Sequence, residues 1–465
     1  MNFKIIFLFF SLIINIRCYI KIPFTYFQAQ KSHDISPKNT ILSVLDLKMY
    51  GLLEIGTPKQ ICHIPINFGS NTFFIPEKES FDYDIKDNIN LYDNRNSSSF
   101  NIIENENTYE GENFIDAYYV NDIFYFGKKQ AYLDFYLSIS YYFPKVGGLG
   151  LQLYPSSKEN TATPDDEKTF LRELKLNFLA NNYIWSIFYE QPQIKYGEIS
   201  GYILIGDYPH LSINYPNKSK YNFSLNSIEA EVYNKKIIET KFLMHNAQII
   251  KDEHIIINIE ESFFVNLDYN FGGIIAPEKM GLYFENNVFN NLKFCHKEVL
   301  SRISNNIFYY CDNSEDNINF NQIKNFFPEI KFLNKILNSS FIINIDDLLY
   351  IKENFVYLLL IFEEGSDKWT FGIPFLQKYQ FSINEDSKRI YFYKKNEILQ
   401  NKKPENQKMK YTYILIIVLS IVFFISALIT GISFCYKNNR KKRKNELDDG
   451  FDYSIKGEEN NLIIN

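Results

Sequence analysis

The sequence predicts a mostly β protein. Residues 50–55 and 64–70 read as strands, and a Gly-Thr-Pro turn at 56–58 follows the first of them. The second stretch ends in a Gly-Ser corner, after which another apolar strand runs over 73–76. The length of 465 residues allows two or three domains, or one large unit with two lobes. A net charge of −6 offers no basic surface, so we exclude nucleic-acid binding.

Apolar segments at both ends predict a membrane protein that enters the secretory pathway. Residues 1–18 combine a basic start, an apolar run and a polar end, the pattern of a signal peptide; a buried N-terminal strand is the alternative. Residues 414–435 carry no charge and, at about 1.5 Å per residue, can cross roughly 30 Å of hydrocarbon as one helix. Basic residues open the tail, 436–465, as in a stop-transfer sequence. We therefore expect a single-pass type I protein with a lumenal or extracellular body and a cytoplasmic tail.

The cysteines fit this compartment only in part, because the body holds an odd number of them. Cys18 lies in the signal and Cys435 at the membrane edge, which leaves Cys62, Cys295 and Cys311 in the body. We expect a disulfide between Cys295 and Cys311, with Cys62 a free, buried thiol. Four N-x-S sequons, at Asn96, Asn217, Asn222 and Asn338, could be glycosylated in the secretory pathway. No spacing among the six histidines or the body cysteines suggests a metal site.

Two segments, at 50–76 and 264–277, match the motifs of a known family. Residues 50–76 read YGLLEIGTPKQICHIPINFGSNTFFIP and resemble the first catalytic loop of the pepsin-like aspartic proteases, YYGxIxIGTPPQxxxVxFDTGSSxLWVP. Asn67 stands where the family has its first catalytic aspartate, and Gly69 and Ser70 match its substrate-contacting residues. Residues 264–277, FVNLDYNFGGIIAP, align without a gap to the second motif, AIVDTGTSLLxGP, and place Asp268 at the second aspartate. An aspartate in a surface turn is the alternative for Asp268.

Further segments follow in the order of that family. Residues 108–113 fall at its hairpin flap, so Tyr109 resembles the flap tyrosine; an ordinary tyrosine of a Tyr-rich hairpin is the alternative. An acidic start and amphipathic spacing predict a helix over 164–179. Other segments resemble family strands and the closing signature, namely 97–100, 146–151, 185–189, 201–207, 369–383 and 389–392.

The resemblance implies a bilobal pepsin-like fold, with an N-lobe over 49–212 and a C-lobe over 213–400. Residues 19–48 would be an N-terminal strand and linker or a vestigial propeptide. Residues 401–413 would link the body to the membrane.

The same resemblance implies an incomplete active site. In the active family two aspartates share a proton and activate a water, and both must titrate. The carboxamide of Asn67 cannot titrate in this way. In addition, Phe68 and Tyr269 replace the threonines that join the two loops in that family. We expect a monomeric, cofactor-free pseudoprotease that binds a peptide or protein in its interlobe cleft. The alternative is an active membrane-bound aspartic endopeptidase with a rearranged site.

Overall fold

A computed structural model describes the greater part of the chain's body. The described residues are 18–28, 36–68, 73–78, 89–110, 113–138, 148–152, 169–190, 199–209, 225–229, 241–300, 306–312, 325–387 and 389–393. This part of the protein is mostly β, as the sequence predicts. The predicted transmembrane segment 414–435 and residues 1–17 of the predicted signal lie outside these ranges. None of the helices within them is both long and apolar enough to span a bilayer.

Strands dominate the described chain, with a few short helices between them. The strands are β1 Ile20–Gln28, β2 Leu47–Ile55, β3 Gln60–Asn67, β4 Phe74–Pro76, β5 Asn101–Glu110, β6 Asn113–Phe126, β7 Lys129–Ser138, β8 Leu149–Gly150, β9 Ile184–Tyr189, β10 Ser200–Ile205, β11 Leu225–Glu229, β12 Lys241–Met244, β13 Asn246–Lys251, β14 His254–Ile259, β15 Phe263–Leu267, β16 Ile274–Pro277, β17 Cys295–Val299, β18 Asn306–Asp312, β19 Glu329–Asn334, β20 Ser339–Ile343, β21 Leu349–Lys352, β22 Phe355–Leu358, β23 Leu360–Glu363, β24 Trp369–Phe371, β25 Phe381–Asn384 and β26 Arg389–Tyr393. The α-helices are α1 Pro37–Leu45, α2 Phe170–Leu176, α3 Glu278–Asn287, α4 Ile345–Leu348 and α5 Ile373–Lys378. Short 3-10 turns occur at Asn94–Asn96 and Phe289–Asn291.

The described strands form three sheets. The largest, with 13 strands, runs β11-β26-β25-β9-β10-β1-β2-β6-β7-β4, and β3, β5 and β8 attach beside this path. A 9-stranded sheet runs β12-β15-β24-β16-β23-β18-β22-β21, with β17 on β18. A 4-stranded sheet runs β14-β13-β19-β20. The first sheet therefore joins strands from both ends of the body.

The hairpin predicted from the first motif is present. Strands β2 and β3 pair antiparallel from Tyr50 opposite Pro65 to Ile55 opposite Gln60. The alternating apolar residues of β2 are buried on one face, which fixes this register because a slip of one residue would expose them. A second hairpin, β5–β6, pairs Tyr109 with Phe114 at the position predicted for the flap.

The N-terminal segment contains more structure than a strand and linker. After β1, residues 37–45 form helix α1, which the sequence reasoning did not predict. The Ser36 side chain accepts a hydrogen bond from the Asn39 N–H, and Pro37 occupies the first turn, where its missing N–H costs nothing. The helix buries Ile41, Val44 and other apolar side chains in the main core.

Two further predictions can be compared with the structure. Cys295 and Cys311 form a disulfide between paired positions of β17 and β18, and Cys62 is a buried free thiol. Within the range predicted as a helix, 164–179, the described part is helical only over Phe170–Leu176. Thr169 caps this helix by accepting a hydrogen bond from the Arg172 N–H.

Candidate functional site

Asn67 and Asp268 occupy equivalent positions in two similar strand arrangements. Asn67 ends β3, which runs parallel to β8 with Ile66 opposite Leu149. Asp268 follows β15, which runs parallel to β24 with Leu267 opposite Phe371. In each case the residue before the site residue therefore pairs with a short neighbouring strand.

The two arrangements match beyond these first pairs. Leu149 also bridges Phe73 in antiparallel fashion, and Phe371 pairs with Ile274 in the same way. Phe73 follows Asn67, and Ile274 follows Asp268, at the same separation along the chain. The following strands, β4 and β16, each end in proline and each pair in parallel with another strand. The described strands thus show the same pairing pattern twice, with an amide side chain at the site position in one copy and a carboxyl in the other.

An aromatic stack joins the two loops. The rings of Phe68 and Tyr269, one residue after Asn67 and Asp268, are stacked with centroids 4.1 Å apart and planes 26° apart. Tyr269 is only 3% exposed, whereas Phe68 is half-buried. The Trp185 ring lies 5.6 Å from both and carries this contact into the first sheet. The stack thus places the residues that directly follow Asn67 and Asp268 in contact with each other.

Backbone hydrogen bonds fix the loop at 268–273 against its neighbours. The Asp268 N–H donates to the Phe371 carbonyl at 3.0 Å, which continues the pairing of β15 with β24. The Ile373 N–H donates to the Phe271 carbonyl at 2.8 Å, at the start of α5. On the Asn67 side, the Leu151 N–H donates to the Asn67 carbonyl at 3.1 Å. Both loops are therefore held by regular structure on at least one side.

The environment of Asp268 favours its protonated form. The side chain reaches solvent, but the protein around it limits its hydration, and this raises the pKa of the Asp268 carboxyl. The N–H groups of Asn270 and Phe271 donate to the carboxylate and oppose that rise. The negative charge of Asp46, an exposed residue, raises the pKa of Asp268 further. Within the described ranges, no lysine or arginine forms an ion pair with Asp268.

The other predicted site residues have different outcomes. Tyr109 lies in β5 next to the tip of its hairpin, opposite Phe114. Gly69 and Ser70 lie outside the described residues. His63 sits within β3, where its Nδ1 accepts a hydrogen bond from the Asn90 N–H and its ring meets Phe27 edge-on. In the part of the chain that the structure describes, no three His, Cys, Asp or Glu side chains are grouped so that they could hold a metal ion.

Sequence reasoning missed three neighbours of the site: Trp185, Asp46 and Tyr26. The Tyr26 hydroxyl donates a hydrogen bond to the Tyr269 carbonyl. Trp185 was identified as part of a strand, but nothing in its spacing predicts contact with both loops. Asp46 lies directly before β2 and bridges Phe271, more than two hundred residues away. Only tertiary structure brings such residues together.

The arrangement offers one titrating group and one amide. The Asn67 side chain can donate and accept hydrogen bonds but does not exchange a proton near neutral pH. Asp268 can accept hydrogen bonds as a carboxylate, or donate one when protonated.

In comparisons with known proteins, no family model matches this chain and no curated protein matches it.

Proposed function

We propose that the chain is a pepsin-like pseudoprotease, held at a membrane by residues 414–435, that binds a peptide or protein segment in its interlobe cleft. The observation that carries the proposal is the repeated strand-pairing pattern with Asn67 and Asp268 in equivalent positions. A two-lobed fold of this kind needs strands from both halves in a shared sheet. In the first sheet, β25 and β26 from the second half of the body lie beside β9 and β10 from the first half, and this strand order supports that fold.

The chemistry of the two residues supports binding more than cleavage. A pepsin-like mechanism needs one carboxylate to take a proton from water and a second, protonated carboxyl to polarise the scissile carbonyl. With Asn67 in place of one aspartate, the pair can hold a proton on Asp268 only. A water bound between these groups would lack the second proton carrier. The site can therefore orient a backbone amide or water without activating it.

The aromatic stack supports the same conclusion. In the resembled family, threonines follow both aspartates and their hydroxyls join the two loops. Here the stacked rings of Phe68 and Tyr269 make that connection. Because Phe68 has no hydroxyl, these two rings cannot supply both of the hydroxyl hydrogen bonds that help to orient two carboxyls and set their pKa values. They do hold the loops in a fixed relation, which a binding site also requires.

One observation favours the alternative of an active endopeptidase. Asp46 is a carboxylate from another part of the chain whose charge acts on Asp268. Its backbone bridges Phe271, which keeps it beside the loop. In a rearranged site, Asp46 would be the second proton carrier.

Selection of peptides by the purified protein tests the proposal. A random peptide library is panned against the wild-type protein, Asp268→Asn and Asp252→Asn. Asp252 is the matched control, because it is an exposed aspartate in the turn between β13 and β14. We expect selected peptides to bind wild type and Asp252→Asn equally and to bind Asp268→Asn more weakly. Equal binding to all three would contradict a site at Asp268, and cleaved peptides would favour the endopeptidase.

A further inference from the structure

The N-terminal residues 20–28 and 36–49, here called the N-terminal strap, comprise strand β1, helix α1 and the start of β2, and β1 lies inside the first sheet. Strand β1 pairs with β10 over residues 20–25 and with β2 over residues 24–28. It therefore has a partner on each side. Its inward side chains, Ile20, Ile22, Phe24 and Tyr26, are all buried.

Tyr26 connects this strand to the loop that carries Asp268. Its hydroxyl donates a buried hydrogen bond of 2.7 Å to the Tyr269 carbonyl. Its ring lies parallel to that of Tyr189, with the two hydroxyls 3.3 Å apart. Burial, with smaller contributions from Tyr189 and from Asp268, raises the pKa of Tyr26. The hydroxyl therefore keeps its proton and remains a donor over the whole physiological range.

The other end of the strap contacts the same loop. The Gly272 N–H donates to the Leu45 carbonyl at 2.9 Å, and the Leu47 N–H donates to the Asn270 carbonyl at 3.0 Å. The two backbones approach closely, because a Cβ at residue 272 would lie 1.8 Å from the Val44 carbonyl oxygen. Only glycine fits at that position. Hydrogen bonds between the strap and the loop thus involve three loop residues, Tyr269, Asn270 and Gly272.

We infer that the N-terminal strap is a retained part of the site and that Tyr26 is a positioning residue for the Asp268 loop, residues 268–272. The strap is therefore not removed as a propeptide. The inference rests on the proposed function only in taking this loop as the one that contacts the ligand. It adds that the shape of the loop depends on residues that precede both predicted motifs in the chain.

Hydrogen–deuterium exchange of the purified full chain tests the positioning role without any ligand. Tyr26→Phe removes the donor and keeps the ring, and Tyr189→Phe is the matched control because its hydroxyl contacts Tyr26 rather than the loop carbonyl. We expect amide exchange across the loop to become roughly five-fold faster in Tyr26→Phe, as for loss of one hydrogen bond. Exchange there should not change in Tyr189→Phe, and exchange in β13 and β19 should not change in either variant. An unchanged loop in Tyr26→Phe, or equal changes in both variants, would overturn the positioning role.

N-terminal sequencing of the protein isolated from its native membranes tests retention. We expect a mature chain that starts at or before Ile20. A start within residues 29–49 would show that β1 is removed and would overturn the inference. Neither experiment uses a ligand, so a failure to select peptides would leave both results intact. Failure of either experiment would likewise leave the result of the peptide selection intact.

Discussion

The stack of Phe68 on Tyr269 should contribute a measurable coupling to stability. Aromatic pairs of this geometry add about 0.5–1.5 kcal/mol beyond the area they bury. Tyr269 is 3% exposed and Phe68 half-buried, so Tyr269→Leu should destabilise more than Phe68→Leu, within the common range of about 0.5–3 kcal/mol for a single substitution. Because the rings are in direct contact, the double variant should lose about 1 kcal/mol less than the sum of the two single losses.

Urea unfolding followed by tryptophan fluorescence measures this coupling. Trp185 is one of only two tryptophans in the chain and lies beside both rings, so its emission reports on the stack. Phe68→Leu combined with Phe332→Leu is the control, because the ring neighbours of Phe332 (Phe263, Trp369 and Phe371) lie in the 9-stranded sheet and not at the stack. A coupling below about 0.3 kcal/mol for the Phe68–Tyr269 pair would refute the stack as the contact that joins the loops.

Three further substitutions test other contacts. Gly272→Ala should destabilise the protein strongly and lower its melting temperature, because the new Cβ would meet the Val44 carbonyl at 1.8 Å; a melting temperature equal to that of wild type would contradict this close approach. Burial raises the pKa of Glu173, so its proton stabilises the folded state at low pH and that contribution is lost as the pH rises through the folded pKa. Glu173→Gln should therefore unfold at higher urea than wild type at pH 7, with the gain disappearing below about pH 4, and a gain independent of pH would argue against this linkage. Replacing Cys295 and Cys311 by serine should cost about 3 kcal/mol of unfolding free energy, as the chain-entropy estimate gives for a sequence separation of 16; an unchanged urea midpoint would exclude a stabilising role for the disulfide.

Local patterns predicted the parts of the fold that depend on neighbouring residues. The β2–β3 hairpin follows from alternating apolar residues on either side of a Gly-Thr-Pro turn. The disulfide between Cys295 and Cys311 follows from the count and placement of the cysteines. Helix α1 was missed because it is short and carries the β-branched Thr40, Ile41 and Val44, which favour a helix weakly, so it depends on packing in the main core.

The site was predictable only where its residues lie within the two motifs. Asn67 and Asp268 were placed by the resemblance, and the repeated topology of β3–β8 and β15–β24 then shows that their positions are equivalent. Contacts made across the fold, such as the one from Tyr26 to the Tyr269 carbonyl, leave no periodic signal in the sequence. The replacement of two small hydroxyl residues by aromatic ones was visible in the sequence, but their stacking on each other required the structure.

Cleavage of a broad peptide library tests the central claim most directly. The purified protein and Asp268→Ala are incubated with the library at intervals from about pH 3 to pH 7, and products are identified by mass spectrometry. Because Asn67 cannot serve as the second proton carrier, we predict no cleavage by either protein at any pH. Cleavage by the wild-type protein that Asp268→Ala abolishes would contradict the pseudoprotease and would make Asp46 the first residue to test as the missing carboxyl.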